Sequence, residues 1–125
     1  MTTSKSIIPI YTTKGDAEAF LVYPYIYNRI GEWIGWITPE REIYSVIGYY
    51  VGYLAKGPRI LRKRAIEIAS MKKKPPTKPS KVYPPATLPL APMMPELNYS
   101  DIDILLDEPE RLHTADSGEF RDDLD

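Results

Sequence analysis

Cysteine is absent from this chain of 125 residues, and histidine occurs once, at His113. The first absence excludes a disulfide framework and any thiolate metal site; the second leaves a single imidazole that cannot hold zinc by itself. Serines are present, but none sits in the strand-to-helix elbow that activates a nucleophile, so no catalytic residue, metal ligand or cofactor is expected. Long apolar runs are missing too. No stretch of about eighteen apolar residues occurs, which excludes a spanning helix. The N-terminal MTTSKSIIPIYTTKGD has no apolar core of the kind a secretory signal needs. These absences predict a non-enzymatic cytoplasmic protein with no membrane partner.

Glycine is scarce and unevenly placed: six of the 7 lie before residue 58, whereas nine of the 13 prolines lie between Pro75 and Pro109. Charge is divided in the same way. Residues 1–74 carry 12 Lys/Arg against 6 Asp/Glu, and residues 75–125 carry 4 against 11, so a net charge of −1 conceals a basic body and an acidic tail. Such a division favours either an anionic partner for the body or attraction between body and tail.

What the first half does contain is a repeated phrase. Ile10-Tyr11 is followed by Gly15, Ala19 and Phe20; Ile26-Tyr27 by Gly31, Gly35 and Trp36; Ile43-Tyr44 by Gly48, Gly52 and Tyr53. The rule is I-Y-x3-G-x3-(G/A)-aromatic. A worn fourth copy begins at Ile60-Leu61, with Ala65 and Ala69 at the same offsets. Internal repetition of this kind decides architecture before anything else does. Each copy reads as a β-hairpin, because β-branched and aromatic residues flank a four-residue loop ending in glycine, the residue that a type I turn closed at positive φ requires. The second small residue, at 19, 35, 52 and 69, is expected where backbones crowd at a shared centre, since glycine inside a strand is otherwise destabilising. In the fourth copy Arg62-Lys63-Arg64-Ala65 replaces the glycine loop. Residues 58–74 therefore fit either a fourth hairpin or a helix started by Gly57-Pro58.

This pattern, over about residues 7–71, resembles the bacterial four-fold β-flower proteins. The resemblance implies an all-β unit of four tandem hairpins around a pseudo-fourfold axis, followed by low-complexity sequence, and it implies no activity. The expected organisation is a disordered N-terminus (1–6), the four-hairpin domain (7–71), a proline-rich extended linker (72–98), a short acidic-apolar element (99–112) and a disordered acidic end (113–125). Within the short element, Ser100 is placed to cap a helical turn. A body this small has a marginal core, so self-association is a further expectation.

Three groups of residues are candidates for binding. Ile102, Leu105 and Leu106 give the acidic tail an apolar edge that fits either a protein partner of unknown identity or the chain's own basic body. Arg59, Arg62, Lys63 and Arg64 are the densest cations, suited to nucleic acid or another polyanion, or again to the acidic tail. Tyr27, Trp33, Trp36, Tyr44, Tyr49 and Tyr53 are aromatic enough to form a stacking rim, or to pack across strands. A protein-binding or adaptor module is the leading functional expectation, with polyanion binding through residues 56–74 as the alternative.

Overall fold

The computed structural model describes residues 6–66 and 72–115. Seven strands follow one another closely: β1 (Ile8–Tyr11), β2 (Ala17–Val22), β3 (Tyr25–Asn28), β4 (Trp33–Ile37), β5 (Glu42–Ser45), β6 (Tyr50–Ala55) and β7 (Arg59–Lys63). An eighth, β8 (Asp101–Asp103), comes from the tail. All are antiparallel and stand in sequence order within one sheet, which curls into a half-barrel. The curl brings β1 back to the start of β7, where the Tyr11 N–H donates to the Pro58 carbonyl at 2.9 Å.

The first three copies close as their glycines dictate. Gly15, Gly31 and Gly48 have φ of 94°, 88° and 91°, and each N–H donates back three residues, to Thr12, Asn28 and Ser45 at 2.8, 3.1 and 3.0 Å. The left-handed conformation costs an L-residue roughly 1–2 kcal/mol and a glycine almost nothing. Every Ile-Tyr pair also marks a β-bulge. The register shifts between Ile10 and Tyr11, between Ile26 and Tyr27, and between Ile43 and Tyr44. The small residue of each copy lies directly opposite the isoleucine: Ala19 across from Ile10, Gly35 from Ile26, Gly52 from Ile43.

Crowding at the small residues is visible in what a side chain would meet there. A Cβ on Gly35 would stand 2.8 Å from the Tyr44 carbonyl oxygen, and one on Gly52 would overlap the Leu61 carbonyl oxygen. Both oxygens belong to the next strand over, and the Leu112 side chain of the core comes as close to Gly35, at 2.8 Å, so a neighbouring backbone, joined at Gly35 by a core side chain, excludes a larger residue. Position 69 lies outside the described residues.

The fourth copy departs further. Residues 59–63 form β7, which overturns a helix begun at residue 58. The strand that would complete a fourth hairpin falls at 67–71, outside the described residues. On its far side β7 pairs with β8, placing Leu61 opposite Asp103, Arg62 opposite Ile102 and Lys63 opposite Asp101. The tail element is accordingly part strand, and its cap is Asp103, not Ser100. The Asp103 carboxylate accepts from the Leu106 N–H at the start of a single helical turn, α1 (Ile104–Asp107), with a 3₁₀ turn at Pro109–Arg111 beyond it.

The two faces of the sheet bury different chemistry, as side-chain alternation requires. Ile10, Ile26, Ile43 and Ile60, all fully buried, form the principal core with Ile34, Ile37, Val51 and Leu54. Ile102, Ile104 and Leu112 of the tail complete it. The other face gathers Phe20, Tyr27, Trp33 and Val46, against which Trp36 and Val82 pack. A small domain gains its stability by removing apolar area from water, and part of that area here is supplied by residues beyond 100.

Candidate functional site

Between Lys73 and Asn98 the chain has no strand or helix, in keeping with its prolines, yet it lies against the body throughout as a strap. Its contacts recur in steps of nine residues. Lys73 N–H donates to the Gly48 carbonyl at 2.9 Å, Val82 N–H donates to the Gly31 carbonyl at 3.1 Å, and Ser100 accepts from the Arg64 N–H at 2.6 Å. Ala91 occupies the corresponding place at Gly15, its Cβ 3.9 Å from where a side chain would begin. The strap thus passes the third, second and first turns in that order and ends beside Arg64, just after β7. Pro75-Pro76 and Pro84-Pro85 stand at the same point of successive steps. That Pro-Pro period is the sequence trace of this circuit; the division into body and linker obscures it.

The end of the strap and the tail beyond it engage every cation of the β7 cluster. Arg59, only 4% exposed, donates from Nη2 to the Pro95 carbonyl at 3.1 Å and from Nη1 to Thr13 Oγ1 at 2.9 Å. Thr13 in turn donates its hydroxyl and its N–H to Asp103 Oδ2, each at 2.6 Å. Arg62 pairs with Glu108 at 2.9 Å, and Lys63 with Asp101 at 3.2 Å. Arg64 donates to the Tyr99 carbonyl at 2.8 Å and lies over the Tyr99 ring. The densest basic cluster of the sequence is therefore opposite the chain's own carboxylates and carbonyls.

Burial raises the Glu108 carboxyl, but hydrogen bonds from Arg62 and Arg111 outweigh it and leave the group below its ordinary value. A carboxyl more acidic in the folded chain contributes stability that is complete above its unfolded value and is lost as pH falls through the folded one. The stability gap between the wild type and Glu108→Gln is expected to be present at neutral pH and to narrow as pH falls below the ordinary carboxylate value. Paired thermal melts across that range would show it, and a gap that is constant with pH would contradict it.

The aromatic candidates face mostly inward. Tyr27, Trp33 and Tyr44 are buried, Trp36 and Tyr53 are half-buried, and Tyr49 alone of the six is exposed. Trp33 Nε1 donates to the Gly35 carbonyl at 2.7 Å and Trp36 Nε1 to the Ser45 carbonyl at 3.1 Å. Trp36 stacks on Tyr44 with centroids 5.0 Å apart. Burial, with the Glu42 carboxylate adjoining, pushes the Tyr44 phenol up to about 12, so it stays protonated through the neutral range. Of the tail candidates, Ile102 is buried in the core while Leu105 and Leu106 are half-buried. His113 is also half-buried, its Nδ1 2.9 Å from the Thr114 carbonyl.

Sequence reasoning passed over the side chains that the strap turns outward. Tyr83, Leu90 and Met93 are 96%, 94% and 101% exposed although their backbone is held against the body. Met93 borders a cleft of about 390 Å³ between the strap and the β6–β7 connection, lined also by Lys56, Gly57, Pro92 and Met94. Among the described residues no three His, Cys, Asp or Glu side chains converge on a metal-sized site, and no helix is long and apolar enough to cross a membrane.

No curated protein and no solved structure matches the chain. A profile of the 4-fold beta flower protein, a family not known for enzymes, matches residues 8–105. That span runs from β1 through β8 and into α1, so it takes in the strap as well as the hairpins. With the bulged Ile-Tyr hairpins and their closing glycines on the same residues, the chain belongs to the 4-fold beta flower family.

Proposed function

We propose that this protein is a non-enzymatic, cytoplasmic adaptor module that binds a protein partner through the second half of its strap. The observation that carries this reading is the full exposure of Leu90 and Met93 on a backbone fixed at both ends, by Tyr11 Oη on the Pro89 carbonyl at 2.6 Å and by Arg59 on Pro95. Between residues 82 and 100 the only charged side chain is Glu96. Large apolar side chains on a preordered segment lose little entropy on binding, and methionine beside a cleft adapts to the surface it meets. Ile102, Leu105 and Leu106 support the reading indirectly by anchoring the strap. The polyanion alternative at Arg59, Arg62, Lys63 and Arg64 is disfavoured because those cations already have partners.

A photo-crosslinking side chain at Met93 of the full chain, used in cells, is expected to trap a discrete partner that is lost on Leu90→Ser. The same probe at Lys56, across the cleft, is expected to trap less of it. A trapped set indifferent to Leu90→Ser would remove the strap from consideration. Both positions are exposed enough that the melting temperature should be unchanged.

A further inference from the structure

The first half of the strap has an opposite composition. Lys72, Lys73, Lys74, Lys78 and Lys81 fall within ten residues with no carboxylate among them, and all five are exposed. Among the described residues none of the five forms an ion pair. Lys72 Nζ sits 5.0 Å from the centre of the Tyr49 ring and Lys73 Nζ 6.0 Å from that of Tyr44, which supports the stems and leaves the ammonium groups in water.

This segment runs from the third turn to the second, pinned by the Lys73–Gly48 and Val82–Gly31 hydrogen bonds. The residue before each turn glycine is Lys14, Ile30 and Ile47 in the three intact copies. A solvent-facing turn position favours polar residues, yet the two turns flanking the lysines carry isoleucines, 59% and 52% exposed. Ile30, Lys81 and Tyr83 border one cleft. Among the described residues few carboxylates oppose the lysines. Glu32, in the cleft with Lys78 and Lys81, accepts from the Asn28 side chain; Glu110 lines the cleft beneath Ile47; Glu18 is 3.7 Å from Arg29.

Apolar side chains projecting among unpaired lysines call for a partner with anionic groups above and hydrocarbon beneath. A phosphodiester backbone would use the lysines and leave Ile30 and Ile47 against polar surface. An anionic bilayer uses both: four or more lysines attract its headgroups, and the apolar tips enter the boundary below them. We propose that residues 72–83, with Ile30 and Ile47, form a docking surface for an anionic lipid bilayer, on which the protein lies without crossing. The lack of a spanning helix bears only on crossing. The adaptor reading concerns the other half of the strap, so the two surfaces would join a partner to a membrane.

The test is co-sedimentation of the full chain with vesicles of phosphatidylcholine, with and without phosphatidylserine, at two salt concentrations. Binding is expected only where phosphatidylserine is present, weakening with salt and by about five-fold for each of the five lysines changed to glutamine. Ile30→Ser with Ile47→Ser, which leaves every lysine in place, is expected to weaken binding by about ten-fold or more. Leu90→Ser with Met93→Ser should leave it unchanged, so that loss of the adaptor site and loss of this one are read separately. No sedimentation, equal sedimentation without phosphatidylserine, or binding insensitive to Ile30 and Ile47 would overturn the proposal. Duplex DNA competing equally well against the wild type and the isoleucine variant would assign the lysines to nucleic acid instead.

Discussion

Gly31→Ala is expected to destabilise the protein by roughly 2–4 kcal/mol, more than a turn glycine alone accounts for. Its φ of 88° imposes the left-handed penalty on any side chain. The added Cβ would also overlap the Val82 carbonyl oxygen and displace the strap from the second turn, with loss of the 3.1 Å Val82–Gly31 hydrogen bond. Gly48 faces the same double cost, since its Cβ would overlap the Lys73 carbonyl oxygen. Gly15 provides the comparison. Its φ is 94° but the nearest strap atom is 3.9 Å away, so Gly15→Ala should lose only the conformational part, about 1–2 kcal/mol. Urea denaturation of the three variants measures the difference, and hydrogen exchange at the Val82 amide reports strap release directly. Equal losses at all three positions would mean that the strap adds nothing at the turns.

Asp103→Ala is expected to cost about 3 kcal/mol or more. The carboxylate is fully buried and accepts two 2.6 Å hydrogen bonds from Thr13, joining the last strand to the first turn. Behind Thr13 stands Arg59, buried and tied to Pro95. Removing the carboxylate leaves the Thr13 N–H and hydroxyl without an acceptor and the guanidinium without the negative charge beyond its bridge. Asp103→Asn keeps an acceptor and should lose less. A double-mutant cycle with Thr13→Val isolates the coupling. A loss for Asp103→Ala below about 1 kcal/mol would show that the contact does not hold β8 in place.

These two sites mark the boundary of what could be read from the sequence. The hairpins were legible because their determinants are local: a glycine four residues after a tyrosine, alternation on both sides, an isoleucine opposite a small residue. The bulge at each Ile-Tyr step follows from the same copies once strands are aligned. The sequence points to Ser100 as the cap of α1, three residues early, because Ser100 and Asp103 are both good caps; only pairing with β7 makes residues 101–103 a strand and moves the helix start. The crowding at Gly35 and Gly52 is legible in the sequence, but the atoms that cause it are not, since which backbone approaches a glycine depends on the register of the next hairpin and Leu112 reaches Gly35 from the far end of the chain. Arg59, Arg62, Lys63 and Arg64 were legible as a cluster and illegible as paired groups.

Local chemistry sets the all-β class, the three intact turns and the extended course of the strap, because chirality, side-chain alternation and proline act within a few residues. Where the strap runs and what completes the sheet follow from long-range packing. Thr13 meets Asp103 across 90 residues of chain and Tyr11 meets Pro89 across 78. Closing loops of that length costs entropy that no short motif can offset, so the outcome rests on burial and pairing summed over the whole circuit.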